Sequence, residues 1–188
     1  MIDESSSYFS VPHKFKAYLK PWPTSTELPS LNELQNLQSV GLQLLSEVKA
    51  VESSSLIQLR ALENDAKTVV DYLKLQSKKI DLILQYVLEA EHQEGTSYLG
   101  TKFGGGGIEI ITDVEPNIDQ HFEVTIFIRD ELVAVLAIAT VTSVTQTEDE
   151  HWKAELSFSR ILEADVEILV KASLGVQQKM LKARTNRR

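Results

Sequence analysis

A long amphipathic helix is the strongest pattern in the sequence. From Leu59 to Ala90, apolar residues recur at alternating intervals of three and four positions, as they do along the seam of a coiled coil. The seam residues are Leu59, Leu62, Ala66, Val69, Leu73, Gln76, Ile80, Ile83, Val87 and Ala90. The segment contains neither Pro nor Gly, so it predicts one straight helix roughly 48 Å long. Because a small domain cannot cover such a helix with its own core, part of the seam is expected to meet another helix.

The width of the apolar stripe indicates how many helices meet. Val70, Tyr72, Leu84 and Tyr86 adjoin the seam, so the stripe is broader than that of a dimeric zipper and suits three or four helices. We therefore expect a homo-oligomer, with a tetramer favoured, in which the polar Gln76 fixes the register. The alternative is a helical hairpin within one chain, in which an earlier helix covers the stripe.

That earlier helix is predicted over Leu31–Val51, where apolar residues also recur at helical spacing. Ser30 as N-cap and Glu33 three residues later form a capping box. Gly41 weakens this helix by about 1 kcal/mol relative to Ala, and the serines at positions 53–55 favour a break. One bent helix and two separate helices both remain open.

The remaining pattern is that of an antiparallel sheet followed by a helix. A strand is predicted within Ser5–Pro21, and Phe122, Val124, Ile126 and Ile128 alternate along another. Together with the strand in Ser5–Pro21, the predicted strands are Ile108–Ile111, Phe122–Arg129, Val133–Val144 and Trp152–Phe158. Five strands joined by short turns predict a small antiparallel barrel. A terminal helix over Glu163–Arg184 is expected to lie along the barrel or its mouth, so the fold class is α+β.

Composition limits the function classes. The 188 residues carry a formal net charge of -8 and include no cysteine, which disfavours general binding to nucleic acid and excludes disulfides and thiolate metal sites. The basic end of the terminal helix, residues 179–188, is expected to be a solvated tail rather than a nucleic-acid arm. With neither a signal peptide nor a membrane span recognisable, the protein is expected to be cytoplasmic and not inserted in a membrane.

No residues form a convincing catalytic or metal-binding set. The four histidines, His13, His92, His121 and His151, are far apart in sequence, and a cluster of His121 with Asp119 and Glu123 fits a solvated turn better than a site. We expect no enzyme activity, metal or cofactor. The glycines at positions 104–107 precede a strand rather than a helix, so they indicate positive φ and close backbone approach rather than a phosphate loop.

The order of elements and several short stretches resemble the PilZ domain, a six-stranded barrel family known for cyclic di-GMP receptors. Lys102–Ile108 looks like the glycine-containing second motif of the family and its strand. Ala154–Ile161, followed by Val166–Val170 and Gln177-Gln178, looks like the closing strand and terminal helix, and Ser6–Pro12 is similar to the opening R-x-x-x-R segment. The resemblance covers residues 6–22 and 98–184.

The ligand positions depart from the family pattern. Ser6 and Ser10 stand where the resemblance places the two arginines, Lys102 stands for the acidic residue and Gly104 for the serine, and Gly107 alone is kept. Each lost charge-assisted hydrogen bond is worth roughly 1.5–3 kcal/mol, so high-affinity cyclic di-GMP binding is not expected. The alternative is a divergent nucleotide receptor that uses Lys102, the glycine amides, and Lys14 or Lys16.

The resemblance also implies the domain order and the function class. Residues 6–22 supply the first barrel strand, 30–92 a coiled-coil oligomerisation insert, and 96–184 the rest of the barrel with the terminal helix. The insert looks like that of atypical PilZ proteins that assemble, some as tetramers, through a helix bundle. The expected function is that of a self-associating adaptor that contacts an unknown protein partner in bacterial second-messenger, pilus or motility regulation.

Overall fold

Six antiparallel strands close into a barrel in the computed structural model of the chain, which describes residues 10–48, 67–90 and 93–185. They are β1 (Ser10–Pro21), β2 (Thr96–Gly104), β3 (Gly107–Thr112), β4 (His121–Ile128), β5 (Val133–Gln146) and β6 (Trp152–Ile161). Around the barrel the order is β1-β2-β3-β6-β5-β4, and every neighbouring pair is antiparallel. The predicted α+β fold with a small antiparallel barrel is confirmed.

The alternating strand residues form the core as predicted. Phe122, Val124, Ile126 and Ile128 of β4 are all buried and belong to one cluster with alternate residues of β1 such as Phe15. Each such side chain contributes roughly 1.5–3 kcal/mol by leaving water. This burial fixes the register, since a shift by one residue would turn the apolar set of β4 outward.

Strand β2 was missed by the sequence analysis, which predicted five strands. Its sequence contains two glycines among mostly polar residues, so it lacks the apolar alternation that marks a strand. Gly100 is nevertheless required, because a Cβ at that position would lie 2.1 Å from the ring of Phe15. The strand is held by antiparallel pairing with β1 and β3 rather than by its own propensity.

The terminal helix, α4 (Glu163–Thr185), confirms the predicted helix over Glu163–Arg184. Leu169, Ala172 and Val176 are buried and join the core cluster of the barrel. The helix packs against β1, β2 and β5. It therefore covers the barrel end where β1 and β5 begin.

The predicted helix over Leu31–Val51 is wrong as one continuous element. Helix α1 (Leu31–Leu37) has the expected capping box, since the Ser30 N–H donates to Glu33 Oε2 at 2.8 Å. Helix α1 ends at Leu37, and α2 is described over residues 40–48. Ser39 Oγ accepts a hydrogen bond from the Leu42 N–H at 3.2 Å, which caps α2 and explains the interruption. The serines at 53–55 lie outside the described residues.

Helix α3 (Lys67–Ala90) contains 24 residues, which corresponds to roughly 36 Å. The earlier part of the predicted helix, including Leu59, Leu62 and Ala66, lies outside the described residues. Contacts divide the chain into a barrel unit, which ends at Gln35 and resumes at Glu94, and a helical unit, Asn36–Gln93. The domain boundaries given above, 30–92 and 96–184, stay predictions. No helix in the described part of the chain is long and apolar enough to span a membrane.

Candidate functional site

Helix α3 exposes a row of apolar residues with one polar interruption, the half-buried Gln76. We call this face the α3 seam and define it by its described residues. These are Val69, Leu73, Gln76, Ile80, Ile83 and Val87. Within one chain, Leu73 is 42% exposed, Ile80 49% and Ile83 63%. Large apolar side chains rarely line one face of a surface helix in this way, so such a face is typical of an interaction surface.

A second face of α3 is covered within the chain. Leu88 is buried, and Val70, Ser77, Asp81 and Leu84 are half-buried. At 100° per residue, this second face lies roughly 90° around the helix from the α3 seam. An intramolecular hairpin that covered the stripe, the predicted alternative, would bury Leu73, Ile80 and Ile83, whereas each is more than 40% exposed within one chain.

The barrel register brings the degenerate ligand positions together. Ser10 pairs with Gly104, Pro12 pairs with Lys102, and Gly104 pairs with Gly107 across β1, β2 and β3. Ser6 lies outside the described residues. Among these described positions, Ser10, Gly104 and Gly107 are small and neutral, and Lys102 carries a positive charge.

The charge of Lys102 is already engaged by an acid that the sequence analysis did not single out. Its Nζ lies 2.7 Å from Glu109 Oε2, and the Thr101 hydroxyl donates to Glu109 Oε1 at 2.6 Å. Burial alone raises the pKa of Glu109, but the hydrogen bonds from Lys102 and Thr101 and the charges of Lys102 and Lys153 outweigh it and lower the pKa. Glu109 therefore stays ionised and competes with any anionic ligand for Lys102.

The glycines at positions 105 and 107 allow α4 and β6 to pack closely against the turn between β2 and β3. A Cβ at Gly105 would lie 2.7 Å from Val170 of α4, and one at Gly107 would lie 2.2 Å from the Leu156 carbonyl oxygen. Neither residue has a positive φ, so that part of the prediction is wrong, whereas close backbone approach is confirmed. The Gly106 carbonyl accepts a hydrogen bond from the Phe158 N–H at 2.9 Å, so it is occupied by the barrel.

The described histidines have separate partners. His121 Nδ1 lies 2.7 Å from Thr140 Oγ1, His151 Nδ1 lies 3.0 Å from Asp113, and His13 Nε2 lies 3.7 Å from Asp130. His121 thus points to a hydroxyl on β5, as expected for a structural residue. His92 lies outside the described residues.

Glu123 is a half-buried carboxylate on β4, paired across the sheet with Lys20 of β1. Burial raises its pKa, the charge of Lys20 opposes this, and the charge of Glu94 adds to it. Lys20 donates a hydrogen bond to Glu94, and this bond, followed by the charge of Glu123, raises the pKa of Lys20. The carboxylates of Glu94 and Glu123 thus both interact with the ammonium group of Lys20.

Because the pKa of Glu123 is raised in the folded chain, folding is favoured when this group is protonated. Its contribution to stability is therefore present below its ordinary pKa of 4.5 and is lost as the pH rises from there through the raised pKa of the folded chain, so that it is unfavourable at neutral pH. We expect Glu123→Gln to stabilise the protein at pH 7 by roughly 0.5 kcal/mol or less, since solvent screens a half-buried group. Urea unfolding at pH 7 and below pH 4.5 measures this, with the exposed Glu148→Gln as control. Destabilisation at pH 7 by Glu123→Gln would show that the attraction to Lys20 dominates.

The sequence matches no protein-family model and no curated protein. Among solved structures, the chain is similar to a tetrameric PilZ domain protein from Xanthomonas campestris that self-assembles through a helical bundle. The TM-score is 0.56 at 11% identity, and the match covers 94% of this chain and 92% of that one. The fold is PilZ-like. Since the match covers 94% of this chain, it includes residues of the helical unit as well as the barrel.

Two further structures match about half of the chain, with low TM-scores. An inhibitor of motility from Bacillus subtilis is 18% identical, with 47% of this chain and 44% of that chain covered and a TM-score of 0.42. The PilZ domain of YcgR from Escherichia coli, solved with cyclic di-GMP, is 7% identical, with 47% and 77% covered and a TM-score of 0.39.

Proposed function

We propose that this PilZ-like protein is a non-enzymatic adaptor that self-associates through the α3 seam and acts through protein–protein contacts. The observation that carries the proposal is the row of exposed apolar residues on α3, with Leu73, Ile80 and Ile83 each more than 40% exposed in one chain. Because about half of each residue is already covered within one chain, burying the rest between copies supplies roughly 1 kcal/mol each. The tetrameric assembly of the similar Xanthomonas campestris protein supports a second copy as the occupant.

The two faces of α3 favour a bundle of more than two helices. A helix in a dimeric coiled coil buries one narrow stripe, whereas a helix in a larger bundle buries neighbouring stripes against different partners. In α3 one stripe is covered within the chain and the adjacent stripe, the α3 seam, is exposed. Four copies are the favoured assembly, and residues 30–92 are the proposed oligomerisation insert.

Self-association would present several barrels at once. Repeated weak contacts to a partner then gain avidity without any new interface. The proposed setting is bacterial second-messenger, pilus or motility regulation, which rests on the PilZ-like fold. The protein partner is not identified by any residue of the barrel.

Cysteine cross-linking at the centre of the seam tests the proposal. The chain has no cysteine, and Gln76 lies near the middle of the predicted helix, so its copies are expected to meet in parallel and antiparallel bundles alike. We expect Gln76→Cys to form disulfide-linked pairs of chains under mild oxidation, because Cα atoms about 4.4–6.8 Å apart permit the bond.

Lys182→Cys, on the exposed end of α4, is the matched control and is expected to stay unlinked. Equal cross-linking at both positions would indicate random collision. Failure of Gln76→Cys to cross-link at concentrations where the chain is oligomeric would place the interface elsewhere.

A divergent nucleotide receptor is the second candidate, and the pairing of Ser10, Lys102 and Gly104 at one corner favours it. The bond between Lys102 and Glu109 argues against it, since a dianionic ligand would have to displace the carboxylate. We expect calorimetric titration with cyclic di-GMP to give no saturable heat. Tight stoichiometric binding that is lost in Lys102→Ala would establish the receptor instead.

A further inference from the structure

Helix α3 has a third face, which is exposed and mostly apolar and lies opposite the face that is covered within the chain. Its members recur at alternating intervals of three and four positions. We call them the tyrosine face; they are Tyr72, Leu75, Lys79, Leu82 and Tyr86. The two tyrosines are 59% and 75% exposed, and each leucine is 51% exposed. At 100° per residue, the tyrosine face is centred roughly 170° from the covered face and roughly 100° from the α3 seam.

The residue types and spacing of the tyrosine face fit a second helix. Tyrosines, which stand at both ends, are enriched in protein interfaces because the ring buries a large apolar area while the hydroxyl stays hydrated. The alternating spacing repeats the pattern with which one helix packs its side chains between those of another. From Tyr72 to Tyr86 the face extends roughly 21 Å along the helix axis. The occupant that matches this length and spacing is an amphipathic helix.

The position of Lys79 disfavours a second copy of the tyrosine face as that helix. Lys79 is the central member, with one leucine and one tyrosine on either side of it. Two copies that paired through this face in parallel register would place Lys79 beside its counterpart. An antiparallel pair about the same centre would do so as well. Because like charges that face each other repel, self-pairing through the tyrosine face is disfavoured in both directions, and the helix belongs to another protein.

The charges at the tyrosine face specify the charge of the partner helix. Lys78 and Lys79 are both exposed, whereas the nearby Asp71 lies 3.8 Å from Lys74. The tyrosine face and its flank therefore carry a net positive charge. A carboxylate on the partner at the level of Lys79 would form a charge-assisted hydrogen bond, and a lysine at the same level would be repelled.

We propose that the tyrosine face binds an amphipathic helix of another protein, whose apolar stripe carries a carboxylate that meets Lys79. The inference rests on the proposed adaptor function, to which it adds the kind of partner. It uses a different face of α3 from the α3 seam, so one chain can self-associate and bind the partner helix at the same time. An oligomer then presents several copies of the tyrosine face and gains avidity for a partner with several such helices.

Methyl NMR of the full chain with two matched peptides tests the proposal. Both are amphipathic helical peptides about three heptads long, with one leucine stripe at three-four spacing. The centre of the stripe is glutamate in one peptide and lysine in the other. We expect the glutamate peptide to shift the methyl signals of Leu75 and Leu82 saturably and to bind about tenfold more tightly than the lysine peptide, as one charge-assisted hydrogen bond implies. The methyl signals of Leu169, in the barrel core, are expected to stay in place.

Variants separate the contributions of charge and apolar contact. Lys79→Gln is expected to remove the preference for the glutamate peptide. Lys67→Gln, at the exposed start of α3, changes the net charge equally and is expected to keep it. Leu75→Glu with Leu82→Glu is expected to abolish binding of both peptides and to leave the mass of the oligomer unchanged.

Four results would overturn the proposal. They are the absence of saturable shifts at Leu75 and Leu82 in the unaltered chain, shifts confined to Ile80 and Ile83 of the α3 seam, equal affinity for the two peptides, and a fall in mass on replacing Leu75 and Leu82. The last result would assign the tyrosine face to a second copy. The measurements on the unaltered chain and on Lys79→Gln decide the matter even if the double variant fails to fold.

The same experiment distinguishes this inference from self-association. A chain that is monomeric at every concentration but binds the glutamate peptide at Leu75 and Leu82 would contradict association through the α3 seam and support the tyrosine face. An oligomeric chain that binds neither peptide would overturn the tyrosine face and leave self-association in place.

Discussion

Replacing Leu73 and Ile80 together by glutamate is expected to convert the protein from an oligomer into a folded monomer. Both side chains are exposed in one chain, at 42% and 49%, so the substitution should cost the single chain little. In an assembly, each copy loses roughly 1 kcal/mol per apolar side chain, since about half of each is already covered within one chain, and must also desolvate two carboxylates. These losses repeat in every copy, so dissociation should be complete at micromolar concentration. Light scattering gives the mass, and circular dichroism checks that the helices remain.

Helix α3 offers a closely matched control. Leu75 and Leu82 are also seven residues apart and each is 51% exposed, but they lie on the side of the helix away from the α3 seam. Leu75→Glu with Leu82→Glu should leave the oligomer intact. If both pairs of substitutions dissociate it equally, the interface is not the α3 seam but the whole surface of the helix.

Gly107→Ala is expected to destabilise the barrel by about 3 kcal/mol, near the upper end of the usual cost of forcing extra volume into a packed site. The added Cβ would lie 2.2 Å from the Leu156 carbonyl oxygen and 3.2 Å from the Ser157 Cα, both backbone atoms of the paired strand β6. Since neither is the end of a flexible side chain, β3 and β6 must separate. The melting temperature should fall by about 10 °C in a chain of this size.

Gly175→Ala is the comparison for this experiment. Its Cβ would lie 3.1 Å from Glu131 Oε2, the end of a side chain that is able to move, and Ala is favoured over Gly within a helix such as α4. We expect a change within about 1 kcal/mol. Urea unfolding in the Leu73→Glu, Ile80→Glu background keeps dissociation out of the measurement. Equal stability of Gly107→Ala and the parent chain would show that β3 and β6 tolerate a wider spacing.

Local periodicity was sufficient to predict several elements. The alternation of Phe122, Val124 and Ile126 defines β4, and Ser30 with Glu33 defines the start of α1, because each signal depends on residues a few positions apart. The same holds for α4, whose predicted bounds differ from the observed ones by one residue. These features form wherever the local pattern and the tertiary packing agree.

Other features depend on distant pairing and could not be predicted from spacing. Strand β2 contains Gly100 because Phe15, 85 positions earlier in the chain, packs against it. The pairing of Lys102 with Glu109 follows a register shift between Gly100 and Lys102, which no local pattern reveals. The helix break at Ser39 is different, since the serine that caps α2 is local to the break, but the longer apolar pattern predicted a continuous helix.

The mass of the unaltered full-length chain in solution tests self-association most directly. Light scattering across a range of concentrations should give about four times the 21.1 kDa of one chain, with no dependence on cyclic di-GMP. A mass of 21.1 kDa at every concentration would contradict self-association through the α3 seam, and with it the proposed adaptor function.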